Sequence, residues 1–157
     1  GEGVAPPETP RLMLSGCPMA VPNWKLPFIV ESSGAVIVGE ESCIVYRNIR
    51  DLVSESGDSL EEMLDALVDR YMRIDCACFT PNQERLHNVV AMAQELGVKG
   101  VIHFALNFCQ PYAIEAFKVG KALEAAGIPM LSIETDYSME DVEQLKTRVE
   151  AFLEMVR

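Results

Sequence analysis

Cys17, Cys43, Cys76, Cys78 and Cys109 are the residues of this 157-residue chain whose type and spacing could do chemistry. Their odd number, in a chain long enough to bury its own core, argues against a disulfide framework and for reduced thiols. Such thiols serve as buried fillers, nucleophiles or metal ligands. A cysteine nucleophile normally works beside a histidine base. Neither histidine is placed for that: His103 lies inside an apolar strand pattern and His87 on a helical one, so both read as structural. The same shortage weakens a zinc reading. Cys-x-Cys is also too tight for the usual zinc knuckle, so at most one of Cys76 and Cys78 is expected to bind a given metal. Any single thiol reads equally well as core filler; the arrangement of all five favours a site.

That arrangement comes from the elements that must carry them. Short apolar runs at Arg11 to Gly16, Ala35 to Gly39, Gly100 to Leu106 and Met130 to Glu134 alternate with longer stretches of helical period. This is the pattern of βα units around a parallel sheet, here expected in the order 2-1-3-4 with helices on both faces, a Rossmann-like or flavodoxin-like α/β fold. A helix is expected over Asn23 to Ser33, with Pro27 in its first turn. Leu60, Met63, Leu64, Leu67, Val68 and Tyr71 form one helical stripe, and Leu86, Val89, Val90, Ala93 and Leu96 the next, both expected to face the sheet. Ala116, Phe117, Gly120 and Leu123 form a third, and Val142, Leu145, Val149, Phe152, Leu153 and Val156 a fourth. Met13, Met63, Met72 and Met92 fall in these patterns and are expected in the core. Gly34, Gly97 and Gly127 sit where helix C-caps belong. In such a sheet, ligands bind outside the carboxyl ends of the strands. Cys17, Cys43 and Cys109 follow the first three strands at that edge, and Asp136 and Tyr137 follow the fourth. Cys43 and Cys109 are expected to face one crevice without necessarily lying close enough to bond. Cys76 and Cys78 precede a helix that should start near Pro81, with Thr80 as N-cap.

Composition narrows the partners. Thirteen basic against twenty-four acidic side chains leave a formal charge of −11, so nucleic acid is not an expected partner. No apolar run approaches the ~20 residues of a membrane span, and the first residues lack the order of a secretory signal, so the chain is expected in the cytoplasm. Residues 1–10, rich in proline, read as a linker, and 11–157 as a single α/β domain. Gly-x-Gly-x-x-Gly after the first strand, Gly-Lys-Ser/Thr and Gly-x-Ser-x-Gly are all missing, which removes the dinucleotide, P-loop and nucleophile-elbow chemistries.

Ser15-Gly16-Cys17-Pro18, Glu40-Glu41-Ser42-Cys43, Cys76-Ala77-Cys78-Phe79-Thr80-Pro81-Asn82, Phe108-Cys109-Gln110-Pro111-Tyr112 and Ile133-Glu134-Thr135-Asp136-Tyr137-Ser138 resemble, in order, the motifs of the 2-hydroxyacyl-CoA dehydratase and benzoyl-CoA reductase family. The string looks most like its double-cubane-cluster branch. The resemblance implies that this is the C-terminal of two similar α/β domains, with an iron-sulfur cluster, [4Fe-4S] or double-cubane, held between them. It implies Cys43, Cys109 and one of the Cys76/Cys78 pair, here Cys76, as the metal ligands. It further implies low-potential electrons from an ATP-hydrolysing iron-sulfur activator, a small-molecule substrate, a cysteine-bearing N-terminal domain as partner, and allows a dimer. Ile44-Val45-Tyr46 and Gln110-Pro111 depart from the residues relatives often carry there. Phe108, Phe79 and Ile44 beside the candidate ligands would form part of an apolar shell. The competing expectation is a metal-free α/β binding or interaction domain, a scaffold for a partner domain.

Overall fold

The computed structural model describes residues 3–157. Gly1 and Glu2 of the expected linker lie outside the described residues, and residues 3–10 form no helix or strand. Ten elements follow: β1 (Arg11–Gly16), α1 (Lys25–Ser32), β2 (Val36–Glu41), α2 (Tyr46–Ile49), α3 (Leu60–Met72), α4 (Gln83–Glu95), β3 (Gly100–Leu106), α5 (Gln110–Ala125), β4 (Met130–Thr135) and α6 (Val142–Val156). The strands form one parallel sheet in the order β2-β1-β3-β4, the order expected from the alternation of runs. The second strand starts and ends later than the apolar run suggested, so Glu40 and Glu41 belong to it.

Successive side chains of a strand point to opposite faces, and here each face has its own core. Leu12, Leu14, Ile102, Phe104 and Ile133 pack against Leu26, Ile29 and Val30 of α1 and Leu145, Val149, Phe152 and Leu153 of α6. Met13 and Val101 pack on the other face against Val89, Met92 and Ala93 of α4 and Val119 and Leu123 of α5. The stripes of α4 and α6 lie as their period predicted. Gly34, Gly97 and Gly127, at φ of 89°, 59° and 73°, end the helices before β2, β3 and β4.

The stripe of α3 does not face the sheet. Leu60, Met63, Leu64, Leu67, Val68 and Tyr71 are all exposed, as is Met72, and no residue of the helix is buried. Met63 and Met72 are therefore not core, whereas Met13 and Met92 are. Four strands offer room for about two helices per face, and α1, α6, α4 and α5 already fill both. The connection from β2 to β3 needs one helix against the sheet and takes α4. What makes α3 helical is local: Ser59 and Glu62 form a capping box, and Arg70 ties the last turn to the Asp51 carbonyl at 2.9 Å and to that of Asn48. The face of α5 is also turned from expectation. Tyr112, Glu115, Val119 and Leu123 are buried, and Phe117 is exposed. No helix among the described residues is long and apolar enough to cross a membrane.

Candidate functional site

β1 ends at Gly16 with φ +116°, where a Cβ would stand 2.0 Å from the Phe104 carbonyl oxygen; only glycine fits so close an approach. The turn lets Cys17 donate its N–H to that same oxygen at 2.8 Å. The Cys17 thiol is buried and its Sγ accepts the Leu106 N–H at 3.5 Å. Burial pushes this thiol up to about 12; the Leu106 N–H opposes the rise, and the neighbouring Cys109 and Cys43 add to it. Cys17 is thus a neutral thiol in the core cluster against which Cys109 packs.

Cys109 is half-buried at the N-terminus of α5. Phe108 before it takes φ +69°, a left-handed conformation unusual for a bulky side chain. This sharp reversal follows the end of β3 and is closed by the Cys109 N–H on the Leu106 carbonyl at 2.9 Å. Cys43 is exposed between β2 and α2, in a turn whose Ser42 carbonyl accepts the Val45 and Arg47 N–H groups. Cys76 and Cys78 share a tight turn closed by the Phe79 N–H on the Cys76 carbonyl at 3.0 Å. The Cys78 thiol is raised by its hydrogen bond with Cys76, then by the charges of Cys76 and Cys109. Cys109 packs against the core cluster that holds Cys17, and the Asn82 to Glu115 hydrogen bond at 3.1 Å ties the segment after the Cys76/Cys78 turn to α5, the helix that Cys109 precedes. The expected N-cap at Thr80 is not formed. Asn82 caps α4 by position, and its side chain instead donates to the Cys76 carbonyl at 2.7 Å and to Glu115 at 3.1 Å.

Beneath the thiols lies a buried charge network that the cysteine pattern did not announce. Arg85, fully buried on α4, donates from Nη1 to both Glu41 carboxylate oxygens at 2.8 and 2.9 Å and from Nε to Glu115. Ser15 donates to the second Glu41 oxygen at 2.9 Å. Arg47 places Nε 2.8 Å from Glu41 Oε1, a charge contact outside hydrogen-bond alignment, and donates to the Asp75 carbonyl at 3.2 Å and the Tyr112 hydroxyl at 2.9 Å. Asp75 also accepts from Arg50 at 3.1 Å and Asn88 at 2.8 Å. Its carboxyl is pushed up by burial, but Asn88, Arg50 and Arg47 outweigh that and leave it below its ordinary value. His103 lies 3.1 Å from the Tyr112 carbonyl through Nε2. A carbonyl can only accept, so Nε2 carries the proton. One signal was available: Arg85 precedes Val89 and Met92 by four and seven residues, on the buried stripe of α4.

Phe108, Phe79 and Ile44, expected to form part of an apolar shell beside the candidate ligands, are 89%, 55% and 57% exposed in this chain. They form apolar ground next to each cysteine turn, open to whatever covers this edge. A pocket of about 240 Å³ opens between the Cys78 turn and α5, lined by Phe79, Asn82, Pro111 and Ile114. A second, of about 310 Å³, lies between the loops after β1 and β4, lined by Val21, Trp24, Tyr137 and Met139. Its floor is held by Lys25, whose Nζ donates to Thr135 at 2.8 Å and to Ser138 and Asp141 at 2.7 Å. Asp136 and Tyr137 are exposed at this same edge. Among the described residues no three His, Cys, Asp or Glu side chains converge on one ion position. A cluster takes one thiolate per iron, so its ligands need not share an ion. The five free thiols are the soft donors such a group takes, and its edge is where this fold binds ligands.

Residues 1–156 match the protein family described as 2-hydroxyglutaryl-CoA dehydratase, D-component. The chain is 38% identical over 148 residues to the YjiM protein of Escherichia coli (strain K12), whose name marks it provisionally as a dehydratase subunit; the match covers 94% of this chain and 38% of that protein. It is 32% identical over 127 residues to the (R)-phenyllactyl-CoA dehydratase beta subunit of Clostridium sporogenes, covering 80% of this chain and 33% of the relative. A benzoyl-CoA reductase subunit of Thauera aromatica is 20% identical over 147 residues, 94% of this chain and 38% of the relative. The chain thus spans under two-fifths of each of these relatives' length. With a match across nearly all of its length, it belongs to the 2-hydroxyglutaryl-CoA dehydratase D-component family.

Proposed function

We propose that this chain is the cysteine-bearing C-terminal α/β domain of an iron-sulfur reductase or 2-hydroxyacyl-CoA dehydratase. In this reading, Cys43, Cys109 and one of Cys76 and Cys78 ligate a cluster completed by an N-terminal domain. The observation that carries it is that the Cys43, Cys76/Cys78 and Cys109 turns meet at one edge, Arg47 after the first donating to the Asp75 carbonyl before the second and to the Tyr112 hydroxyl after the third. When bound, the cluster supplies single low-potential electrons, received from an ATP-hydrolysing activator and passed to a small substrate. The residues of this chain hold and surround it. Cys109 and Cys43 offer thiolates from two turns, the Cys76 turn offers a third, and Phe108, Phe79 and Ile44 exclude water once the partner domain closes over them. Cys17, buried and protonated, shapes the floor.

In the full-length protein purified without oxygen, Cys109→Ala should lose cluster iron and ATP-dependent reduction together, and Cys17→Ala should lose less of both. A Cys109→Ala protein with its full iron and activity would remove the ligand assignment and the electron-transfer reading that depends on it. A metal-free interaction domain is the second reading, favoured by the exposed apolar stripe of α3. Absence of iron and sulfide from the anaerobic full-length protein would select it.

A further inference from the structure

The three turns that carry Cys43, Cys76/Cys78 and Cys109 are closed internally by short-range hydrogen bonds within each turn. What joins one to another is side-chain chemistry, and one side chain reaches all three. Arg47 lies four residues after Cys43. It donates to the Asp75 carbonyl, one residue before Cys76, at 3.2 Å. It also donates to the Tyr112 hydroxyl, three residues after Cys109, at 2.9 Å. Its Nε stands 2.8 Å from Glu41, two residues before Cys43, and the side chain is 4% exposed. Glu41 is clamped in turn by Arg85, which also holds Glu115 of α5.

A buried ion network of this kind is a poor stabiliser. Desolvating two arginines and two glutamates costs about as much as their attraction returns, and apolar residues of similar volume would serve stability as well. What apolar residues could not supply is a planar fork with donors fixed in direction, able to reach a carbonyl, a hydroxyl and a carboxylate at once. We infer that Arg47 is a positioning residue that sets the spacing of the Cys43, Cys76/Cys78 and Cys109 thiols by tying their three turns together, with Tyr112 and Glu41 as its fixed points. The inference rests on the reading that these thiols act as one site, and it concerns the thiols themselves, with or without iron.

The experiment uses the full-length protein, stripped of iron under reducing, oxygen-free conditions and treated with dibromobimane, a reagent that bridges two neighbouring thiols. Bridged pairs are identified by peptide mass spectrometry. The unaltered protein should form bridges between turns, Cys43 to Cys109 or Cys78 to Cys109, as well as the Cys76–Cys78 bridge within one turn. Arg47→Met should slow the between-turn bridges about tenfold, the loss expected when hydrogen bonds to a charged donor are removed, and leave Cys76–Cys78 unchanged. Arg47→Lys, which keeps the charge but not the fork, should fall between the two. Tyr112→Phe removes only the hydroxyl and should slow both between-turn bridges, each of which includes Cys109, while leaving Cys76–Cys78 unchanged; it decides the matter if Arg47→Met does not fold. Between-turn bridging that is absent from the unaltered protein, unchanged in Arg47→Met and Tyr112→Phe, or lost together with Cys76–Cys78 would overturn the inference. Iron content of the unaltered protein tests the cluster reading separately.

Discussion

Arg85 on α4 grips both carboxylate oxygens of Glu41 at the end of β2, across 44 residues of sequence and with neither side chain more than 1% exposed. Removing one partner of such a pair leaves a buried charge without compensation. Arg85→Met should lower the unfolding free energy by about 3–5 kcal/mol, read from urea denaturation. Combining it with Glu41→Met should cost less than the two single changes added. Simple additivity would mean the two residues do not share a network.

His103 supplies a pH dependence. Burial is the main cause, with the Arg85 charge opposing protonation as well and the Tyr112 carbonyl favouring it; together they lower its pKa from 6.5 to about 4. The unfolded chain therefore takes a proton below about 6.5 that the folded chain refuses until about 4. The stability contributed is present in full above that window and is lost as pH falls through it, by about 3 kcal/mol in total. His103→Gln keeps a donor for the Tyr112 carbonyl and cannot titrate. Stability curves of the two proteins between pH 7 and pH 4 should diverge by about this amount; parallel curves would show that His103 titrates at the same pH folded as unfolded.

The two apolar stripes of α3 and α6 should behave oppositely. Leu153 of α6 is 1% exposed and Leu64 of α3 is 52% exposed. Leu153→Ala should cost about 2–5 kcal/mol, whereas Leu64→Ala in this domain should change stability by about 0.5 kcal/mol or less. Thermal melts of the two variants compare them directly.

At the end of β1, Gly16→Ala meets both a left-handed φ of +116° and a carbonyl oxygen 2.0 Å from the new Cβ. Backbone has to move, and we expect a loss of at least about 3 kcal/mol. The accessibility of the buried Cys17 thiol should rise in the same variant, measured as its rate of alkylation against that of exposed Cys43.

Lys25 is 6% exposed, and its ammonium is satisfied by Thr135, the Ser138 carbonyl and Asp141. Lys25→Met should cost about 1–3 kcal/mol, because Thr135, the Ser138 carbonyl and Asp141 lose their donor while Asp141, 28% exposed, keeps water. The Asp141 carboxyl, pushed up by burial but held below its ordinary value by Lys25 and Thr135, should titrate at higher pH in that variant, as followed by NMR of its side chain.

The strands, their order and the sidedness of α4 and α6 could be read from the chain. A run such as Val101 to Leu106 that is apolar but for His103, bounded by glycine and followed by helical period, has few ways to bury both faces other than a parallel sheet. The placement of Cys17, Cys43 and Cys109 at one edge followed from that sheet alone, because each comes next after a strand. The stripe of α3 shows the limit. Amphipathic period states that a face is apolar, not what covers it, and only the filled faces of a four-stranded sheet left α3 outside. The charge network was less legible still. Arg85 meets Glu41 and Glu115 across 44 and 30 residues, and Arg47 meets Asp75 and Tyr112 across 28 and 65. No local spacing encodes such pairs. Turn and helix signals act over a few residues, whereas a buried arginine finds its carboxylate only after the sheet has brought the strand ends together.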